Sequence, residues 1–85
     1  MNISKIEQRV LHVLAQGGHI RHMRASNGRV TEATCLTRDG FGYSGFNLDV
    51  FRKLVRKKLI QSLAGKPYRI SRKGRVAVRS QLDNR

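Results

Sequence analysis

Acidic residues are scarce in this chain: five Asp and Glu stand against 18 Lys and Arg in 85 residues. Cysteine occurs once, at Cys35, which excludes an internal disulfide framework and suits a reducing compartment. Proline occurs once, at Pro67, and tryptophan is absent. No linker, low-complexity tract or internal repeat divides the sequence, so a single domain is expected over 1–85. Long apolar runs are missing too. Nothing approaches the roughly 20 residues of a membrane span, and Met1-Asn2-Ile3-Ser4-Lys5 turns polar too early for a signal-peptide core. These absences point to a soluble cytoplasmic protein with no membrane partner. The length also excludes a barrel of roughly 250 residues or a doubly wound sheet.

What the chain does have is positive charge. A formal charge of +13 opposes compact folding by self-repulsion, and a polyanionic partner relieves it. Nucleic acid is the usual candidate; an acidic protein surface, the ribosome or a membrane surface are the alternatives. Hydrophobic residues make up 39% of the chain, enough for one modest core and too many for a disordered basic tail.

Residues 4–16 read as a helix. Ser4 and Glu7 have capping-box spacing, and Ile6, Val10, Val13 and Leu14 recur on one face. Gly17-Gly18 ends it. Two strands follow, 19–25 and 29–37, joined by an Asn27-Gly28 two-residue hairpin turn. That register sets Ile20 opposite Cys35, His22 opposite Ala33 and Met23 opposite Glu32. Asp39-Gly40 reads as a second such turn, leading to a third strand over 41–46 that pairs Leu36 with Tyr43 and completes a meander.

A second helix is expected over 47–58, capped by Asn47, with Val50, Phe51, Leu54 and Val55 on one side. Arg52, Lys53 and Arg56 line the other side, with Lys57 at its flank. Lys58 falls on the apolar side, so either the helix stops there or the side chain snorkels. A short strand over 59–63, a turn at 64–67, a return strand over 68–70 and a helix over 72–82 beginning after Ser71 complete the chain. The fold class is α+β, in the order α-β-β-β-α-β-β-α.

The stretch from Phe51 through Lys58-Leu59-Ile60 to Gly65-Lys66-Pro67-Tyr68-Arg69-Ile70-Ser71-Arg72-Lys73-Gly74-Arg75 resembles the second half of a winged-helix domain. That resemblance implies a cationic helix, a wing and a following helix that meet DNA. The meander stands where such domains carry a helix. The candidate binding residues are Arg52, Lys53, Arg56 and Lys57 on the helix, Lys66 and Arg69 at the wing, and Arg72, Lys73 and Arg75 after it. Such side chains mostly find phosphates and position a protein rather than read sequence.

The whole chain also resembles a narrower group, the bacterial YjhX toxin family, also called TopAI. Leu11-His12-Val13-Leu14-Ala15, Gly28-Arg29-Val30-Thr31, Lys58-Leu59-Ile60, Pro67-Tyr68-Arg69-Ile70 and the ending Gln81-Leu82-Asp83-Asn84-Arg85 carry the likeness. Phe46 departs from the family pattern, which has a second cysteine there. The resemblance implies a toxin of a toxin–antitoxin pair that inhibits bacterial DNA topoisomerase I by binding it, with an antitoxin as second partner. It supplies no functional residues.

Enzymatic readings have less to stand on. Glu7, Asp39 and Asp49 have structural roles as capping box, turn and helix start. An RNase reading falls back on His22, Arg24 and Glu32, with the histidine as base and the arginine stabilising phosphorane charge. His12, His19, His22 and Cys35 are the candidate metal ligands, but His19 and His22 are three apart on a strand and point to opposite faces. Cys35 reads as a small buried hydrophobe, and Phe41 or Tyr43 as core. With what the YjhX resemblance implies, the expected function is a non-enzymatic, topoisomerase-inhibiting toxin without cofactor or small-molecule substrate. A winged-helix DNA-binding regulator is the alternative, followed by an RNase toxin.

Overall fold

The fold was obtained as a computed structural model describing residues 2–81. Helix α1 (Lys5–Ala15) starts with the capping box intact: Ser4 Oγ accepts from Glu7 N–H at 3.2 Å, and Glu7 Oε1 accepts from Ser4 N–H at 2.8 Å. Two of the helix's orphan donors are thus satisfied. Its apolar stripe of Val10, Leu11 and Leu14 is buried.

Strands β1 (His19–Arg24) and β2 (Val30–Leu36) form an antiparallel hairpin. Ile20 faces Cys35, His22 faces Ala33 and Met23 faces Glu32, the register expected from the sequence. The turn differs. Gly28 N–H reaches Ala25 O at 2.9 Å, Ala25 N–H reaches Arg29 O at 2.8 Å, and Gly28 alone takes positive φ, at +84°. The loop is therefore one residue longer than a two-residue turn. A bulge between Met23 and Arg24 pairs Arg24 with Val30, leaves Thr31 as the extra residue and restores the register.

The third strand of the expected meander does not form. The Asp39-Gly40 turn does close, with Gly40 at φ +91° and Thr37 N–H bonded to Phe41 O at 2.8 Å. Beyond it there is one isolated bridge, Leu36 to Gly42, rather than a strand pairing Leu36 with Tyr43. Tyr43 N–H bonds Cys35 O at 2.8 Å, and the chain then turns back on itself through Phe46 N–H to Tyr43 O. Glycines at 42 and 45 offer no side chains to hold a ladder. Tyr43 packs against the core, whereas Phe41 is 70% exposed.

Helix α2 (Leu48–Arg56) is capped by Asn47, whose Oδ1 accepts from Val50 N–H at 2.9 Å. It stops before Lys58, which adopts the left-handed conformation at φ +60°. Strands β3 (Ile60–Gln61) and β4 (Arg69–Ile70) pair antiparallel across the 64–67 turn. Reciprocal Ile20–Tyr68 backbone bonds of 2.9 and 2.8 Å join β4 to β1.

Ser71 caps α3 (Arg72–Gln81): its hydroxyl accepts from Gly74 N–H at 3.0 Å and donates to Lys58 O at 2.7 Å. Gly74 lies so close to the Leu59 carbonyl that a β-carbon there would collide with it. Leu82, part of the expected helix face, lies outside the described residues. Helix α1 packs against α3 and β4, and α2 lies against β2. Ile20, Phe51, Leu54, Leu59, Ile70 and Val78 close the core between them. The described residues thus form a small α+β arrangement of three helices and two short antiparallel sheets.

Candidate nucleic-acid or partner interface

Tyr68 sits among four arginines. The β4–β1 bridge fixes its backbone. Its ring meets His22 of β1 and Phe51 of α2 edge-on, each with centroids 5.0 Å apart. This pins the hairpin against α2 and leaves a groove of about 360 Å³ between the hairpin turn and the helix. Arg24 and Arg29 stand on the hairpin side, Arg52 and Arg56 on the helix side, and Phe51, Val55 and Tyr68 lie between. Among the described residues no Asp or Glu lines it. Arg24 is held in place: one guanidinium nitrogen donates to Gly28 O at 2.8 Å, and the other lies 3.5 Å from the Tyr68 hydroxyl. The bulge that restores the hairpin register thus lies beside a residue of this site.

Arg52 and Arg56 meet in the groove as i, i+4 neighbours. The other cations singled out from the sequence are distributed elsewhere. Lys53 forms an i, i+4 ion pair with Asp49 at 3.3 Å. Lys57 turns away to α1, where its Nζ lies 2.9 Å from Glu7 Oε1 and 2.5 Å from Asn2 O. Lys53, Arg56 and Lys57 border a second, shallow depression beside Asn2, Ile3 and Ser4. Lys66 and Arg69 flank a third with Gln61, Leu63 and Pro67. Arg69 also donates to the Gly17 and Gly18 carbonyls at 3.3 and 3.4 Å, closing the C-terminal end of α1. Arg72, Lys73 and Arg75 are exposed on the first turn of α3 and line none of these depressions. The cations singled out over 52–75 are thus divided among three depressions, with Arg56 shared between two of them, and the exposed first turn of α3.

Sequence reasoning missed Arg24 and Arg29 as partners of α2. The signal available was the hairpin itself, since its turn carries an arginine at each end. Nothing local in the sequence says that this turn lies across from α2.

The titratable groups have structural surroundings. His22 lies against Tyr68, and burial first, then the nearby Arg24 charge, lowers its pKa, favouring the neutral ring. Its Nδ1 is buried without a hydrogen-bond partner among the described residues. Glu32 pairs with Met23 in the ladder, so strand alternation sends it to the face opposite His22. His22 and Glu32 nonetheless border one depression with Arg21, Met23 and Thr34, while Arg24 lines the separate groove beside α2. His19 is also shifted down, by burial and then by Arg69 and Arg21. Burial raises the Cys35 thiol to about 11, as befits a core residue opposite Ile20. Among the described residues no three His, Cys, Asp or Glu side chains group as metal ligands, and no helix is long and apolar enough to cross a membrane.

Comparison with known proteins gives this surface a context. Residues 1–85 match a family model described as "Putative toxin of bacterial toxin-antitoxin pair". The chain is 64% identical to a UPF0386 protein of Beijerinckia indica and 65% identical to one of Ruegeria sp., in each case over 100% of both chains. A UPF0386 protein of Aliivibrio fischeri is 52% identical, again over the full length of both. No solved structure matches. With the family model covering the whole chain, this protein belongs to the YjhX toxin family of bacterial toxin–antitoxin pairs.

Proposed function

We propose that this chain is a toxin that acts by binding rather than by catalysis, and that its target is bacterial DNA topoisomerase I in the cytoplasm. The observation that carries the binding half is the four-arginine groove between the hairpin and α2, with no Asp or Glu among the described residues along it. Such a surface competes for the path of a polyanion or seats on an acidic protein face. The choice of topoisomerase I comes from the sequence resemblance. Arg52 and Arg56 are the core of the contact, and Lys53 stands at its margin. The antitoxin is the second partner, one that neutralises the toxin by occupying it.

The test is relaxation of negatively supercoiled DNA by purified topoisomerase I. Wild-type protein should inhibit relaxation, and the Arg52→Glu/Arg56→Glu variant should need at least tenfold more protein for the same effect. A nuclease-treated pull-down should retain the enzyme. Absence of inhibition by the wild type, or equal potency of the variant, would overturn the reading. Recovery of nucleic acid alone, with a tight sequence-selective site, would favour a DNA-binding regulator instead. Cleavage of labelled RNA, abolished by His22→Ala, would favour an RNase.

A further inference from the structure

The hairpin side of the groove assigns a ligand class. We propose that Arg24 and Arg29 on the β1–β2 turn and Arg52 and Arg56 on α2 form a two-sided clamp for the phosphodiester backbone of a single nucleic-acid strand. The proposal deepens the binding reading above and rests on the same groove being the contact surface.

Three observations support it. First, the four cations are all arginines, while the neighbouring lysines are engaged by acids, Lys53 by Asp49 and Lys57 by Glu7. The planar guanidinium fork bonds phosphate oxygens bidentately, which a lysine ammonium cannot do. Second, Arg24 is preorganised. Its bond to Gly28 O at 2.8 Å, with the Tyr68 hydroxyl 3.5 Å away, orients the guanidinium along the groove edge, so less rotamer freedom is lost on binding. Third, the site is a shallow, open depression bordered on two sides. Duplex recognition by a helix requires a protruding ridge that enters a major groove about 12 Å wide. Here the hairpin turn borders the same groove as Arg52 and Arg56, so α2 is not a free ridge. A single strand can lie along the depression, its backbone between the two pairs of arginines and its bases or sugars over Val55 and Tyr68. DNA and RNA share this chemistry.

The test is fluorescence anisotropy with labelled 12-mers of deoxythymidine and of uridine, a 12-bp DNA duplex and a poly-glutamate peptide, titrated from 50 to 300 mM salt. The wild type should bind one or both single strands more tightly than the duplex or the peptide. Arg29→Glu/Arg52→Glu should weaken single-strand binding about a hundredfold, roughly tenfold for each lost charge-assisted contact. The same variant should flatten the log–log salt slope by about 1.4, at roughly 0.7 per phosphate contact. Arg9→Glu/Arg79→Glu changes the net charge equally on residues outside the groove and should weaken binding less than about threefold. Circular dichroism checks that both variants fold.

Equal losses in the two variants would overturn the clamp in favour of overall charge. Tighter binding of the duplex, or of poly-glutamate, would overturn the single-strand assignment. Wild-type protein that binds no oligonucleotide yet still inhibits topoisomerase I would sink this inference while leaving the proposed function standing. Oligonucleotide binding through the groove without inhibition of the enzyme would do the reverse.

Discussion

Lys57→Met should destabilise the protein more than Glu7→Gln, although the two changes remove opposite ends of one ion pair. Glu7 is 1% exposed, and its Oε2 has no hydrogen-bond partner among the described residues. Oε1 is held by Lys57 Nζ and by the Ser4 backbone. Replacing Lys57 leaves a buried carboxylate with the Ser4 backbone as its partner. At full burial such a loss costs about 3–5 kcal/mol. Lys57 keeps 26% of its side-chain exposure, which lets water compensate in part, so a loss of about 2–3 kcal/mol is expected. In Glu7→Gln the side chain still reaches the Ser4 N–H, because glutamine also serves in a capping box. The released lysine can turn toward water, so that loss should be about 1 kcal/mol.

For a domain of this size, about 4–8 °C of melting temperature accompanies each kcal/mol. Lys57→Met should therefore melt roughly 10 °C or more below wild type and Glu7→Gln roughly 5 °C below. The double variant should melt above Lys57→Met, since it removes the stranded charge. The pH dependence has a definite sign. Burial raises the Glu7 pKa, but the hydrogen bonds from Lys57 and Ser4 outweigh it, and the net shift is downward from 4.5. A carboxylate shifted down stabilises the folded state above 4.5 and loses that contribution as the pH falls through its folded-state value. The gap between wild type and Glu7→Gln should hold from pH 7 to about pH 5 and close below 4.5. Urea or thermal melts across pH 3–7 measure it. A Glu7→Gln loss equal to or larger than that of Lys57→Met would refute the reasoning.

The remaining predictions concern other contacts. Gly74→Ala should destabilise by about 2 kcal/mol or more, despite alanine's helix propensity, because the new methyl meets the Leu59 carbonyl and Ile70 Cγ1; an unchanged melting curve would contradict this packing. Gly28→Ala should cost only about 1 kcal/mol, since the site is open and the strain lies in the positive φ alone. Cys35 should resist Ellman's reagent in the native state and react fully in denaturant, given its burial and a pKa of about 11. Asn47→Ala should cost about 1 kcal/mol through loss of the α2 cap, read by urea denaturation.

The sequence by itself determined the elements whose signals are local. Ser4 with Glu7, Asn47 and Ser71 marked three helix starts, because a capping side chain bonds a backbone N–H within three residues. The hairpin register was legible for a different reason. A one-residue slip would have turned Ile20 and Cys35 out of the core, so the hydrophobic pattern held the pairing even though the turn proved one residue longer and a bulge made up the difference. The third strand failed on the same ground: its glycines gave the pattern nothing to bury, and only the Leu36–Gly42 bridge remains.

What only the tertiary structure decided is which charges meet. Periodicity assigned Lys57 to the flank of a basic helix face, but the packing of α2 beside α1 brought it to Glu7, 50 residues away. The packing of β4 against α1 turned Arg69 toward the end of α1, and that of the hairpin beside α2 set Arg24 and Arg29 along the same groove as Arg52 and Arg56. Charge–charge contacts depend on the separation of side chains in space. In a chain where 18 of 85 residues are Lys or Arg, composition promises a cationic surface but leaves its location to the packing of helices and sheets.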